Sequence, residues 1–170
     1  MSPEGGVRRG LLPLALRVRE PAALRYVIPL PGARPPLSLN DRGHWRPKWK
    51  HTQELRKAVA WHARALRIPT GVDRIMVALY YVPADRRTRD ADNLVATLKP
   101  CIDALTAKGL ARGWPCHPVI ADDDPGSVTW APPIILEPDG RPRYWLEVTI
   151  PTPVTTDSTP GGDTHVVQGR

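Results

Sequence analysis

Ile75-Met76-Val77-Ala78-Leu79-Tyr80-Tyr81-Val82 is an unbroken apolar run, bounded by Gly71 before it and Pro83 after it. Its shortness and its valines and tyrosines predict a buried strand rather than a helix. The far end of that strand delivers the chain to Asp90-Ala91-Asp92-Asn93. The segment from Asn93 to about Lys108 then has helical periodicity. A buried strand thus feeds an acid-rich turn and a helix, in a chain whose length suits one domain.

Upstream, Tyr26-Val27-Ile28 reads as a short strand stopped by Pro29 and Pro31, and a Pro-rich turn leads to Ser38-Leu39-Asn40-Asp41-Arg42. A helix follows, with Thr52 as its cap and Leu55, Val59, His62 and Leu66 at helical spacing; Glu54, Lys57, Trp61 and Arg64 fall on other faces. Downstream, Ile134-Ile135-Leu136 and the stretch from Tyr144 to Ile150 flank Pro138-Asp139-Gly140, which predicts a hairpin. In its second strand Tyr144, Leu146, Val148 and Ile150 alternate with Trp145, Glu147 and Thr149, so one face is expected in the core. Residues 1–24 and 151–170 lack any sustained period and are expected to be disordered extensions around a domain at 25–150.

The chain of 170 residues carries 24 Lys and Arg against 17 Asp and Glu, a formal charge of +7, with a pI near 9.9. Such a surface attracts polyanions by releasing their counterions, and nucleic acid is the commonest such partner. No apolar run approaches the roughly 20 residues needed to span a bilayer, so no membrane role is expected. Leu11-Leu12-Pro13-Leu14-Ala15-Leu16 is too short for a secretory signal and is broken by proline, so a cytoplasmic protein is expected. Cys101 and Cys116 fit neither a disulfide framework nor a zinc motif, and Cys116-His117 reads as loop.

A basic chain that gathers carboxylates into two tight groups, Asp90 with Asp92 and Asp122-Asp123-Asp124, invites a bound cation. At 100° per residue Leu94, Leu98, Ile102 and Leu105 share one side of the predicted helix, while Asp92, Lys99 and Asp103 project from the other. The simplest account of Lys99 and Asp103 is an i,i+4 ion pair on a wet face. Asp90 or Asp92 can likewise cap the helix, though a cap needs one carboxylate. Two Asp at alternate positions, completed by an acid from the triplet, would instead suit magnesium, which takes oxygen ligands. Carboxylate-held metal generates hydroxide from water and stabilises a phosphodiester undergoing in-line displacement; Lys99 would neutralise the phosphate or orient the water. Asp103 lies about 16 Å from Asp92 along a regular helix, too far to share one ion. Pro100 should kink or break that helix. Structural calcium is disfavoured, because the glycine-bearing loop of an EF-hand is missing.

The ordered set Asp90-Ala91-Asp92-Asn93-Leu94, Lys99, Asp103-Ala104-Leu105-Thr106, Gly109-Leu110 and Asp122-Asp123 resembles the RusA family of Holliday-junction resolvases. Asn40-Asp41-Arg42 and the helix after it resemble that family too, and the similarity covers roughly Tyr26 to Ile150. It implies an α/β (α+β) fold, a small single domain in which helices flank a mixed sheet, and a homodimer that uses Mg2+ to cut paired strands of a four-way DNA junction during recombination and repair; Mn2+ is a further candidate ion. Asp90, Asp92 and Asp123 would bind metal, with Asp122 assisting; Lys99 would be the catalytic lysine, and Asp103 and Asn93 would support. The chain departs from the family pattern in two places. Lys99 follows Asp92 by seven residues where the family has four, which keeps the face but moves one turn, about 4.5 Å. A longer connection, Arg112 to Pro118, precedes the acidic triplet.

Cations and aromatics interleave in Arg42, His44, Trp45, Arg46, Lys48, Trp49, Lys50 and His51, and Arg86, Arg87 and Arg89 directly precede the acids. Arg42, Arg46, Lys48, Arg86, Arg87 and Arg89 are the expected phosphate contacts, and Trp45 and Trp49 are either base-stacking groups or core. Rival readings are a RusA-like protein that binds DNA but has lost cutting, a metal-dependent nuclease for flaps, duplex or RNA, and a basic structural protein whose acids only offset local charge.

Overall fold

The computed structural model describes residues 23–40, 45–107 and 117–152. Its elements run β1 (Ala23–Pro29), α1 (Trp45–Ala65), β2 (Ile75–Val82), a 3-10 turn (Ala91–Leu94), α2 (Val95–Asp103), β3 (Val128–Trp130), β4 (Ile134–Ile135) and β5 (Arg143–Pro151). This is the expected small α+β domain with a mixed sheet. The expected disorder of the two ends concerns residues largely outside those described. Ala23, Leu24 and Pro151, assigned to those ends by sequence, belong to the sheet.

β2 has the predicted bounds and lies near the middle of the sheet, whose order is β1-β5-β2-β3 with β4 also on β2. β5 runs antiparallel to both β1 and β2, pairing Leu24 with Ile150 on one side and Leu79 with Leu146 on the other. β3 and β4 run parallel to β2, at Ile75–Val77 and at Tyr80–Tyr81. The predicted hairpin is therefore corrected: β4 does not pair with β5. β5 instead fills the space between β1 and β2, and β4 continues the edge begun by β3. Pro132 and Pro133 interrupt that edge because proline has no N–H for the ladder, and an outer strand tolerates the gap.

Alternation puts Ile75, Val77, Leu79 and Tyr81 of β2 and Tyr144, Leu146, Val148 and Ile150 of β5 on one buried face. Both helices cover that face, α1 with Leu55, Val59 and Ala63 and α2 with Leu98, Cys101 and Ile102. On the other face Tyr80 stacks on Trp145 at 5.2 Å, and Arg25 pairs with Glu147 at 3.3 Å.

α1 begins at Trp45, seven residues before the predicted cap Thr52, because Pro47 in a first turn removes an N–H that has no intrahelical acceptor there. Its buried stripe includes Ala60 and Ala63 in place of His62 and Leu66. The helix closes with a Schellman turn: Arg67 takes the left-handed conformation (φ 53), Arg67 N–H donates to Arg64 O at 3.0 Å and Ile68 N–H to Ala63 O at 3.0 Å. α2 is also corrected. It runs through Pro100 and ends at Asp103, about five residues before the predicted Lys108.

Candidate metal and nucleic-acid site

The loop after β2 is held by its own charges. Arg89 donates to the Asp85 carboxylate at 2.6 Å and to the carbonyls of Asp85 and Arg87, and its guanidinium sits over the Tyr81 ring at 6.0 Å. Those bonds hold the Asp85 carboxyl below the usual carboxylate range, Arg89 first and the Arg87 N–H next. Arg89, expected on DNA, is thus committed to fixing the loop. Arg86 and Arg87 are each 86% exposed and make only loose pairs, with Glu137 at 3.9 Å and Asp85 at 3.8 Å.

The next residue, Asp90, is extended and caps the 3-10 turn, its Oδ1 accepting from Asp92 N–H at 3.0 Å and its Oδ2 from Asn93 Nδ2 at 3.4 Å. The cap reading thus describes Asp90 and Asn93 as they stand. Asp92 is exposed, and among the described residues its carboxylate makes no hydrogen bond or ion pair. The segment before α1 is tied to the same place: Thr97 Oγ donates to Leu37 O at 2.9 Å, and Leu39 N–H donates to Asn93 O at 3.1 Å. These bonds satisfy the buried Thr97 hydroxyl and hold the segment against a groove of about 840 Å³ lined by Arg34, Asp90, Asn93 and, from α1, His51.

Further along, α2 presents a second charged group. Lys99 Nζ lies 3.7 Å from Asp103 Oδ1, as the i,i+4 spacing predicts, and 3.5 Å from Asp123 Oδ2. Asp103 is held from its other side by Arg56 of α1 at 2.5 Å. The result is a line of alternating charge, Arg56, Asp103, Lys99, Asp123, that stitches α1, α2 and the approach to β3. Sequence reading does not find Arg56; its one signal is its place between Leu55 and Val59 on the buried edge of α1.

In the triplet, Asp122 Oδ1 accepts from the Asp123 N–H at 2.9 Å. Asp124 closes the turn into β3, accepting from Ser127 Oγ at 2.7 Å and from Gly126 N–H at 2.8 Å. Those donors, Ser127 first, hold its carboxyl below the usual range.

The two acidic groups flank α2 at different levels, and the topology explains why. β3 starts opposite Ile75, so the chain leaving β2 at Val82 must travel back along the strand before pairing parallel to it. Asp90 and Asp92 stand where that return begins, and Asp122 to Asp124 stand where it ends. Among the described residues no three His, Cys, Asp or Glu side chains gather closely enough to form a ready ligand set. Within the two acidic groups, the Asp92 carboxylate meets no described partner, and the Asp123 carboxylate meets only the exposed Lys99 ammonium, at 3.5 Å.

Arg46, Lys48, Trp49, Lys50 and His51, which precede the predicted cap Thr52, lie on α1. Trp45 is 63% and Trp49 60% exposed, which excludes the core alternative for both. Arg42 lies outside the described residues, as do Asp41, His44 and Gly109 to Cys116. No helix of the described residues is long and apolar enough to cross a membrane.

No protein-family model matches the chain, and no curated protein matches it closely enough to mark a relative.

Proposed function

We propose that the chain is a magnesium-dependent endonuclease of the RusA type that acts on branched DNA in the cytoplasm. The observation that carries the reading is the meeting of Lys99 with Asp123, 24 residues apart in the chain, on the helix that follows Asp92, a carboxylate that no other described residue engages. An all-oxygen donor set fits magnesium, which keeps several waters and takes one or two carboxylates with the substrate phosphate rather than a full protein cage. Asp92 and Asp123 would hold it, directly or through its waters, with Asp122 adjacent; Asp90 would join by giving up its cap. When bound, the ion supplies a nucleophile from water and stabilises charge on the phosphodiester. The chain's own groups do the rest. Lys99, 70% exposed, neutralises the phosphate, Asp103 and Arg56 keep its chain extended along α2, and Arg86 and Arg87 hold the flanking backbone. Manganese would substitute on the same oxygens, and a homodimer would supply two such sites for a two-fold junction.

The separation of the two acidic groups along α2 favours a second reading, a RusA-like protein that binds junctions without cutting them. One experiment divides them: the protein and its Asp92→Asn variant are incubated with a labelled four-way junction and a linear duplex of the same sequence, with and without magnesium. Paired nicks in the junction alone, needing both magnesium and Asp92, support the endonuclease. Tight binding without nicks supports the second reading, and equal cutting of the duplex removes branched DNA as the substrate.

A further inference from the structure

We infer that the cleft beside Lys99 and Asp123 is a pocket for one unpaired nucleobase, with Trp130 as its stacking wall. This rests on the reading of the protein as a nuclease and names the part of the substrate that the site would select.

The cleft exists because the sheet extends past α2. Trp130 pairs with Val77 and so projects toward the helix-covered face, yet it stands on the edge strand, where the helix no longer covers it. It is 48% exposed although it belongs to a strand whose first residue, Val128, is in the core. Val95, Leu98 and Ile102 of α2 line the cleft with Trp130, together with Lys99 and Asp123, whose side chains are 70% and 40% exposed. Apolar sides with one cation and one carboxylate at the rim are what a nucleotide presents in complement: a flat ring with polar edges, joined to an anionic phosphate.

Size decides between candidate occupants. The cavity is about 260 Å³, under the roughly 300–1,000 Å³ of pockets that take whole small ligands. A duplex or a helix of a partner protein would not enter, whereas a single base would. Charge then sets the orientation. The Lys99 ammonium lies 3.5 Å from Asp123, a loose pair that a phosphate would compete for, so the base enters with its phosphate on Lys99. Paired bases are stacked within the duplex and cannot reach such a pocket, which therefore prefers strands that are open at a branch point.

The test compares Trp130→Ala and Trp130→Phe with the unaltered chain, using fluorescence anisotropy of a labelled oligothymidine and of an abasic oligonucleotide of the same length. Trp130→Ala should weaken oligothymidine binding by about five-fold or more and leave abasic binding unchanged. Trp130→Phe, which keeps a stacking ring, should recover most of the loss. Equal loss on both strands, or no loss on either, overturns the pocket. The two readings fail separately. Magnesium- and Asp92-dependent junction cutting, together with equal binding of the two oligonucleotides by the unaltered chain, leaves the endonuclease standing without the pocket. Base-dependent binding through Trp130 with no junction cutting does the reverse.

Discussion

Arg56 in the middle of α1 reaches Asp103 at the last residue of α2, 2.5 Å from guanidinium nitrogen to carboxylate oxygen, with three-quarters or more of each side chain out of solvent. That contact fastens the two helices where Lys99 is presented. The buried Arg56 Nε has no protein acceptor among the described residues, so the pair rests on the outer nitrogen alone. Urea unfolding of Arg56→Met, Asp103→Asn and the double variant should give a coupling energy of about 1–2 kcal/mol, above the exposed-pair range because the pair is mostly shielded from water. A coupling below about 0.3 kcal/mol would show that the helices dock without it.

Asp90 combines a cap with a proposed metal role, and the two separate by substitution. Asp90→Ala should cost about 1 kcal/mol of stability by leaving the 3-10 turn uncapped. Asp90→Asn keeps an acceptor for the Asp92 N–H and should melt within a few degrees of the unaltered protein. If Asp90 also reaches the metal, Asn at this position abolishes magnesium-dependent cutting while the melting temperature holds. Full activity in Asp90→Asn restricts the residue to capping.

Arg86, Arg87 and Arg89 are neighbours in sequence with different expected behaviour on DNA. Replacing Arg86 and Arg87 by Ala should flatten the dependence of log K on log salt by up to about two, roughly 0.9 for each phosphate that is no longer neutralised. The same change at Arg89 should act mainly on stability, since its guanidinium is occupied by Asp85 and two carbonyls. An unchanged salt slope in the Arg86, Arg87 variant would take both residues off the interface.

Asp124 links the turn before β3 to pH. Its carboxyl is held below its ordinary value by Ser127, Gly126 and the Ser127 N–H, so the folded state binds the proton less readily than the unfolded chain. The resulting stabilisation is complete above the unfolded value of about 3.9 and is lost as pH falls through the folded one. The melting-temperature difference between the unaltered protein and Asp124→Asn should be constant between about pH 6 and 7 and shrink in more acid buffer. A difference that grows on acidification would contradict the assigned bonds.

Arg67 is the one described non-glycine residue with positive φ, and it occupies the helix-closing position that glycine favours. Arg67→Gly removes the side-chain clash of the left-handed conformation but adds unfolded-chain entropy, so a net gain of about 0.5–1 kcal/mol is expected by chemical denaturation. A loss would mean that the Arg67 side chain makes stabilising interactions of its own.

What can be read along the chain and what cannot follow from the range of the interactions. β2 is legible because its apolar run is local, and the Lys99–Asp103 pair because helix spacing fixes it. The β5 alternation is legible for the same reason, yet its partner is not: Tyr144 to Ile150 face the core equally well beside β4 or between β1 and β2, and only the whole sheet decides. The start of α1 is hidden because Pro47 reads as a breaker until its place in a first turn is known. Arg56 is hidden because nothing near position 56 announces an acid in another helix. The level difference between Asp92 and Asp123 depends on the direction of the return from β2, which residue spacing does not carry.

β5 lies between β1 and β2, and it is the last of the described strands in chain order. A ribosome therefore releases β1, both helices and β2 before the strand that joins β1 to β2 exists. Until Arg143–Pro151 emerges, the inner edges of β1 and β2 have no partner, and Val77 and Leu79 lack their neighbours Val148 and Leu146. Pairing across so long a sequence interval is slow compared with local helix formation. The nascent chain is thus an open half-sheet with formed helices, a natural client for a chaperone, and a stop codon anywhere before β5 yields a product with no closed core.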